Sequence, residues 1–268
     1  MFIFNRGLIP FVIALRFVPL PASASDDTLD VRVEPHKSVV IVGEPLLITA
    51  TVTNRGSEPV QLIHHDAPTL ALYPRSVVEL RLGPDEEHLV AWSDGFRKLA
   101  KTAPRLLPPG ESITVDLVML FNSQDGFFTT TPGKYWISGR VVVVAKPYVE
   151  IVSTPVEIEV REPSPSDKAA WEWLNAHKED YGRLVQVPWR GKLSEEFLRE
   201  CNRTCDTSPS GYVEYLALFL SRSYREGPKK DAAQAARFAE IARAKASSEK
   251  TRSEAEKLLP QRQPKAAP

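Results

Sequence analysis

The feature that most limits what this chain can fold into is an alternation of apolar and polar residues that occurs three times, each time opened by a Pro/Gly turn. After Val42-Gly43-Glu44-Pro45, the residues Leu46, Ile48, Ala50 and Val52 alternate with Leu47, Thr49, Thr51 and Thr53, and the run stops at Asn54-Arg55-Gly56. After Pro108-Pro109-Gly110-Glu111 come Ile113, Val115, Leu117 and Met119 on one face. After Pro132-Gly133-Lys134 come Tyr135, Ile137, Gly139, Val141 and Val143. Side chains of a strand alternate between two faces, so each run predicts a half-buried antiparallel strand. Strands are expected near 29–34, 38–42, 46–53, 59–64, 77–82, 88–92, 112–121, 134–145 and 155–160. Strands of this number and spacing predict an all-β, two-sheet sandwich.

The pattern changes after Glu162-Pro163-Ser164-Pro165-Ser166-Asp167, which reads as a stiff linker over 163–167 with Ser166 or Asp167 capping a helix. Over 168–259 Ala, Glu, Lys, Arg and Leu replace the β-branched residues, and helices are expected near 167–177, 194–202, 210–226, 229–247 and 249–259. Ser194 is an expected N-cap, and Gly227-Pro228 separates two helices expected to form a hairpin. The chain therefore divides into a β unit over 25–162, a small all-α unit over 168–259 and a disordered tail over 260–268.

Residues 1–24 carry the marks of a secretory signal: Arg6, an apolar run from Leu8 to Leu15, and Ala22-Ser23-Ala24 before the expected cut. The run is shorter than the roughly 20 residues of a spanning helix, so no membrane span is expected in the mature chain. Export to the periplasm or the extracellular medium follows as an expectation. Residues 25–162 hold 13 Lys/Arg against 19 Asp/Glu, and residues 163–268 hold 19 against 15. Neither half has the clustered basic stripe that nucleic-acid binding requires. In an exported chain the two cysteines, Cys201 and Cys205, predict a loop-stapling disulfide, with the helix ending near Asn202.

No nucleophile elbow, zinc helix, phosphate loop or dinucleotide fingerprint occurs, so neither catalysis nor a cofactor is expected. His64-His65-Asp66 is the candidate metal segment, although adjacent strand residues point to opposite faces. Asp85-Glu86-Glu87-His88 reads as a solvated hairpin tip. Two loops set aromatics beside tight turns, where each can be a core plug or a binding edge; their residues Trp92, Asp94, Phe127 and Phe128 are the candidate binding residues. Trp171 and Trp173 follow the linker, and one of them is expected to pack back onto the β unit.

Gly43-Glu44-Pro45 through Thr51-Val52-Thr53-Asn54, then Leu107-Pro108-Pro109-Gly110-Glu111, then Pro132-Gly133-Lys134-Tyr135, resemble the immunoglobulin-like or fibronectin-like modules of secreted bacterial proteins. Ala91-Trp92-Ser93-Asp94-Gly95, with the later Pro-Gly-Glu turn and Gly-Lys-Tyr strand, is similar to the bacterial intracellular proteinase inhibitor family over roughly residues 40–160. The resemblance implies an immunoglobulin-like sandwich. The export signal and the helical tail depart from the inhibitor family, and no inhibitory residue carries over. Leu220, Tyr224, Ala233, Phe238 and Ala242 resemble one tetratricopeptide unit, fewer than the roughly three such an array needs. The expected function is non-catalytic binding of a protein or cell-envelope partner through loops or an edge strand. The alternatives are inhibition of a proteinase, or metal chemistry at His64-His65-Asp66.

Overall fold

In a computed structural model of the chain, the described residues are 28–66, 75–91, 104–122, 126–127, 131–145, 147–186 and 193–260. The expected signal segment, and the expected tail after Pro260, lie outside them. The β unit runs β1 (Leu29–Pro35), β2 (Val39–Ile41), β3 (Leu46–Asn54), β4 (Val60–Leu62), β5 (His65–Asp66), β6 (Arg75–Ser76), β7 (Glu79–Gly83) and β8 (Val90–Ala91). It continues with β9 (Arg105–Leu107), β10 (Ser112–Met119), β11 (Phe121–Asn122), β12 (Gly126–Phe127), β13 (Gly133–Val143), β14 (Val149–Val152) and β15 (Val156–Arg161). Among the described residues six helices follow: α1 (Pro165–Ala176), α2 (Lys178–Gln186), α3 (Glu195–Thr207), α4 (Val213–Glu226), α5 (Ala232–Lys245) and α6 (Glu249–Leu258).

Two main sheets enclose the β core. The smaller has the order β1-β3-β10, all antiparallel, and the larger is built around the long strand β13, with β7, β4, β14 and β15 along its sides. Ile48, Ala50 and Val52 of β3 face Ile137 and Val141 of β13 and Ile158 of β15 in one apolar cluster. The chain changes sheets between β1 and β2: β1 pairs with β3, whereas β2 runs parallel to β15. At Gly139 the sheets come close enough that a Cβ would stand 2.7 Å from a Val33 methyl, so only glycine fits. Asn54 ties two loops together at one end: its amide donates to Glu58 O at 2.8 Å and Leu107 O at 3.0 Å, and its Oδ1 accepts from Gly56 N.

A second core lies among the helices. Tyr181, Phe197, Tyr212, Tyr215, Phe219 and Phe238 are fully buried there. Leu47 of β3, its cross-strand partner Val118, and Leu120 join this second core, so the helices pack on the outer side of the smaller sheet. Trp171 touches both cores. α4 and α5 form the expected hairpin, with Tyr224 stacked on Phe238 at 5.8 Å and Ser221 Oγ donating to Ala235 O.

Several expectations are corrected. The cap of α1 is Ser164 with Pro165 in the first turn, so helix begins inside the expected linker. Helix α2 was not expected, and its mixed sequence Lys-Glu-Asp-Tyr-Gly-Arg explains why. Helix α3 does not end near Asn202 but continues to Thr207, with Ser194 capping its start as expected. Cys201 and Cys205 therefore sit one turn apart on a regular helix, both buried, and both are free thiols rather than a disulfide. Burial pushes both thiols up, that of Cys205 to about 12, which makes them poor nucleophiles.

Candidate functional site

Of the four residues singled out as a binding surface, Trp92, Asp94 and Phe128 lie outside the described residues. Phe127 belongs to β12, where its backbone pairs with Phe121 in a two-stranded hairpin. His65 and Asp66 form β5, paired with Ser76 and Arg75. His64 is half-buried and its Nδ1 has no hydrogen-bond partner. Among the described residues no group of three His, Cys, Asp or Glu could hold a metal ion. Asp85 is occupied locally, accepting from the backbone of Glu87 and His88 and from the His88 ring in the expected hairpin tip.

The densest buried charge lies where the helices meet the turn between β2 and β3. Lys37 Nζ stands 2.5 Å from Glu44 Oε1 and 3.4 Å from Glu214 Oε2, and 4.7 Å above the Tyr215 ring. Ile41 N donates to Glu44, and Ser247 donates to Glu214 through both N and Oγ. Burial pushes the Glu44 carboxyl up, and Lys37 opposes that shift. The turn itself is gripped by helix side chains: Tyr181 donates to Gly43 O at 3.2 Å and Tyr212 donates to Val42 O. Gly43 has φ of +77°, and a Cβ there would stand 1.9 Å from Trp171 Cζ3. Glu214 Oε1 is buried without a hydrogen-bond partner, and the other polar contacts of this cluster join parts of the same chain. Its chemistry is to hold the two units together.

The outward chemistry lies elsewhere. Among the described residues, four large apolar side chains are exposed: Val90 at 68%, Leu106 at 56%, Tyr148 at 64% and Val152 at 42%. Val90 is in β8, Leu106 in β9, Val152 in β14, and Tyr148 immediately precedes β14. Each of these three strands pairs on one side only among the described residues: β8 with β7, β9 with β4, β14 with β13. All four residues therefore lie at the margin of the larger sheet, and none is on a helix or on the smaller sheet. Tyr148 also lines an apolar depression with Val144, Ala145 and Pro147. Beside Val152, Arg140 bridges Glu79 and Glu150 at 2.7 and 2.8 Å. Burial alone would lower the Arg140 pKa, but the two carboxylates outweigh it and raise it, so the group stays charged. Apolar residues rimmed by paired charge on open strand edges can receive an added strand. The signal for this margin in the sequence was faint: Val90, Leu106 and Val152 each stand beside another apolar residue, Leu89, Leu107 and Ile151, and nothing in the sequence tells the exposed member of each pair from the buried one.

Compared with protein-family models and with curated protein sequences, the chain matches none. Solved structures give partial likenesses. The sporulation control protein Spo0M of Bacillus subtilis is 14% identical with a TM-score of 0.31, covering 56% of this chain and 56% of that one. The alkylpurine DNA glycosylase AlkC of Pseudomonas fluorescens, bound to DNA containing an abasic site analog, is 14% identical with a TM-score of 0.30, covering 50% of this chain and 30% of that one. The CARDB domain of the PF1109 protein from Pyrococcus furiosus, in complex with di-metal ions, is 16% identical with a TM-score of 0.26, covering 50% of this chain and 87% of that one. The matched part thus spans about half of the Spo0M chain and under a third of the glycosylase. At these scores the likenesses carry no functional weight.

Proposed function

We propose that the protein is an exported, non-catalytic binding module whose β unit is an immunoglobulin-like sandwich, and that it recognises a protein of the cell envelope by adding an extended segment of that partner to an open edge of the larger sheet. The observation that carries this reading is the confinement of Val90, Leu106, Tyr148 and Val152 to the margin of that sheet. Main-chain hydrogen bonds supply affinity in such recognition, and alternate side chains of the added strand meet the exposed apolar residues. The division of the first strand between two sheets, with β2 parallel to β15, supports the sandwich reading because it closes both sheets around one core. The segment Ala22-Ser23-Ala24, with its preceding apolar run, supports export.

The test is capture of envelope proteins by the purified protein, compared with a Leu106→Asp/Tyr148→Asp variant whose fold is checked by circular dichroism. Both residues are exposed, so the variant is expected to keep its melting temperature and lose the partner. A partner held equally by both proteins would remove the sheet margin from recognition.

A further inference from the structure

The seam between α6 and the outer face of the smaller sheet contains a histidine whose tautomer the hydrogen bonds fix. Thr49 Oγ1 lies 2.8 Å from Asp116 Oδ1 and is the donor, because a carboxylate accepts only. Its one proton committed, Thr49 accepts from His36 Nε2 at 3.1 Å. Nε2 therefore carries a proton, and in the neutral ring Nδ1 holds a bare lone pair. That Nδ1 is buried and has no hydrogen-bond partner.

The charges around the ring come from every element at the seam. From α6, Lys250 and Lys257 both act against a positive ring, Lys257 being itself paired with Glu254, and Asp116 of β10 acts for one. Glu34 of β1 is taken by Lys250 at 2.8 Å. Arg222 of α4 interacts with the charge of Asp116. Lys37, next in the chain, is taken by Glu44 and Glu214. A second proton on His36 would create a buried N–H without an acceptor and a cation facing two ammonium groups, with Asp116 alone to offset it.

We propose that the contact between α6 and the smaller sheet is an acid-released latch with His36 as its trigger: protonation of the ring drives α6 from the sheet while α4 stays in place. Burial, then Lys250, holds the His36 pKa down to about 4 in the closed form, against an ordinary value of 6.5. A histidine lowered on closing contributes stability that is complete above 6.5 and is lost as pH falls through 6.5 toward about 4. At about pH 4.5 the opening constant is then expected to rise on the order of tenfold to a hundredfold. The Lys250 hydrogen bond holds the Glu34 carboxyl below its ordinary range, so that ion pair survives in this window. Glu44 is raised by burial, so acid does not weaken the α4 side through it.

The experiment is amide hydrogen exchange on the full chain at about pH 7 and about pH 4.5, expressed as protection factors. The expected result is loss of protection over 249–258 by roughly tenfold or more, with 213–226 unchanged, and no such loss in His36→Gln, whose amide still donates to Thr49. Equal loss in both proteins, or joint loss over α4 and α6, would overturn the proposal. If the Gln variant does not fold, the NMR titration of His36 in the unaltered chain decides. A midpoint at or below about 4.5 supports the latch, and one near the ordinary value of about 6.5 sinks it.

Discussion

Asn54 shows how a single side chain sets a loop cluster. It is fully buried, and two of its neighbours' carbonyls, Glu58 O and Leu107 O, depend on its amide. An alanine there removes both donors while the Leu107 carbonyl stays buried, a worse situation than never having had the pair. Asn54→Ala is expected to cost roughly 2–4 kcal/mol, read from the midpoint of urea denaturation. Gly43 is a second such position for a different reason. Its φ of +77° disfavours any side chain, and the Trp171 ring occupies the place of a Cβ. Gly43→Ala is expected to unseat Trp171, seen as a red shift of tryptophan emission. An unchanged spectrum and unchanged stability would show that the turn relaxes at no cost.

At the scale of elements, the β strands were legible because alternation with Pro/Gly punctuation reports a half-buried strand directly, and all nine expected strand positions carry strand in the structure. The seating of the helices was also written in the sequence, but as a defect in that pattern. Leu46-Leu47 and Leu117-Val118-Met119-Leu120 break the alternation because those stretches are buried on both sides. Leu47 read as one more member of the outward set with Thr49, Thr51 and Thr53, whereas it is buried in the helical core. The candidate surface was not legible, since edge position depends on which strands pair at a distance. Leu47→Ala is expected to cost about 2–5 kcal/mol, the range for a large-to-small change in a core, despite its place on the outer face of a sheet. Asp167 holds the start of α1 to the entry of α4, accepting from Ser164 Oγ, Ser210 Oγ at 2.7 Å and Gly211 N at 2.8 Å. Burial alone would raise its carboxyl, but these hydrogen bonds outweigh it and hold it below the ordinary 3.8. A carboxylate lowered on folding stabilises above its unfolded value and loses that contribution as pH falls through the folded one. Asp167→Asn is therefore expected to destabilise at neutral pH and to narrow its deficit in strong acid, measured by thermal melts across pH.

At the scale of the molecule, the two units do not behave as beads on a string. The β2–β3 turn is inserted among Trp171, Tyr181 and Tyr212, and the Lys37 ammonium joins a carboxylate of the β unit to one of α4. A buried ion cluster is not by itself a source of stability, because desolvation offsets the attraction. Removing one member is a different matter, since the remaining charges stay buried without their partner. Lys37→Met leaves Glu44 and Glu214 facing each other, and is expected to cost about 3–5 kcal/mol. Because the cluster belongs to both units, that cost must appear in the unfolding of both. The full chain is accordingly expected to melt in one transition, the same by far-ultraviolet dichroism, which weights the helices, and by tryptophan emission from both units. Lys37→Met is expected to move that transition down as a whole. Two transitions in the unaltered chain, with the substitution shifting only one of them, would mean that the seam is a contact between independently stable parts. The acid latch at α6 would then have to be read as the loosening of a separate helical domain.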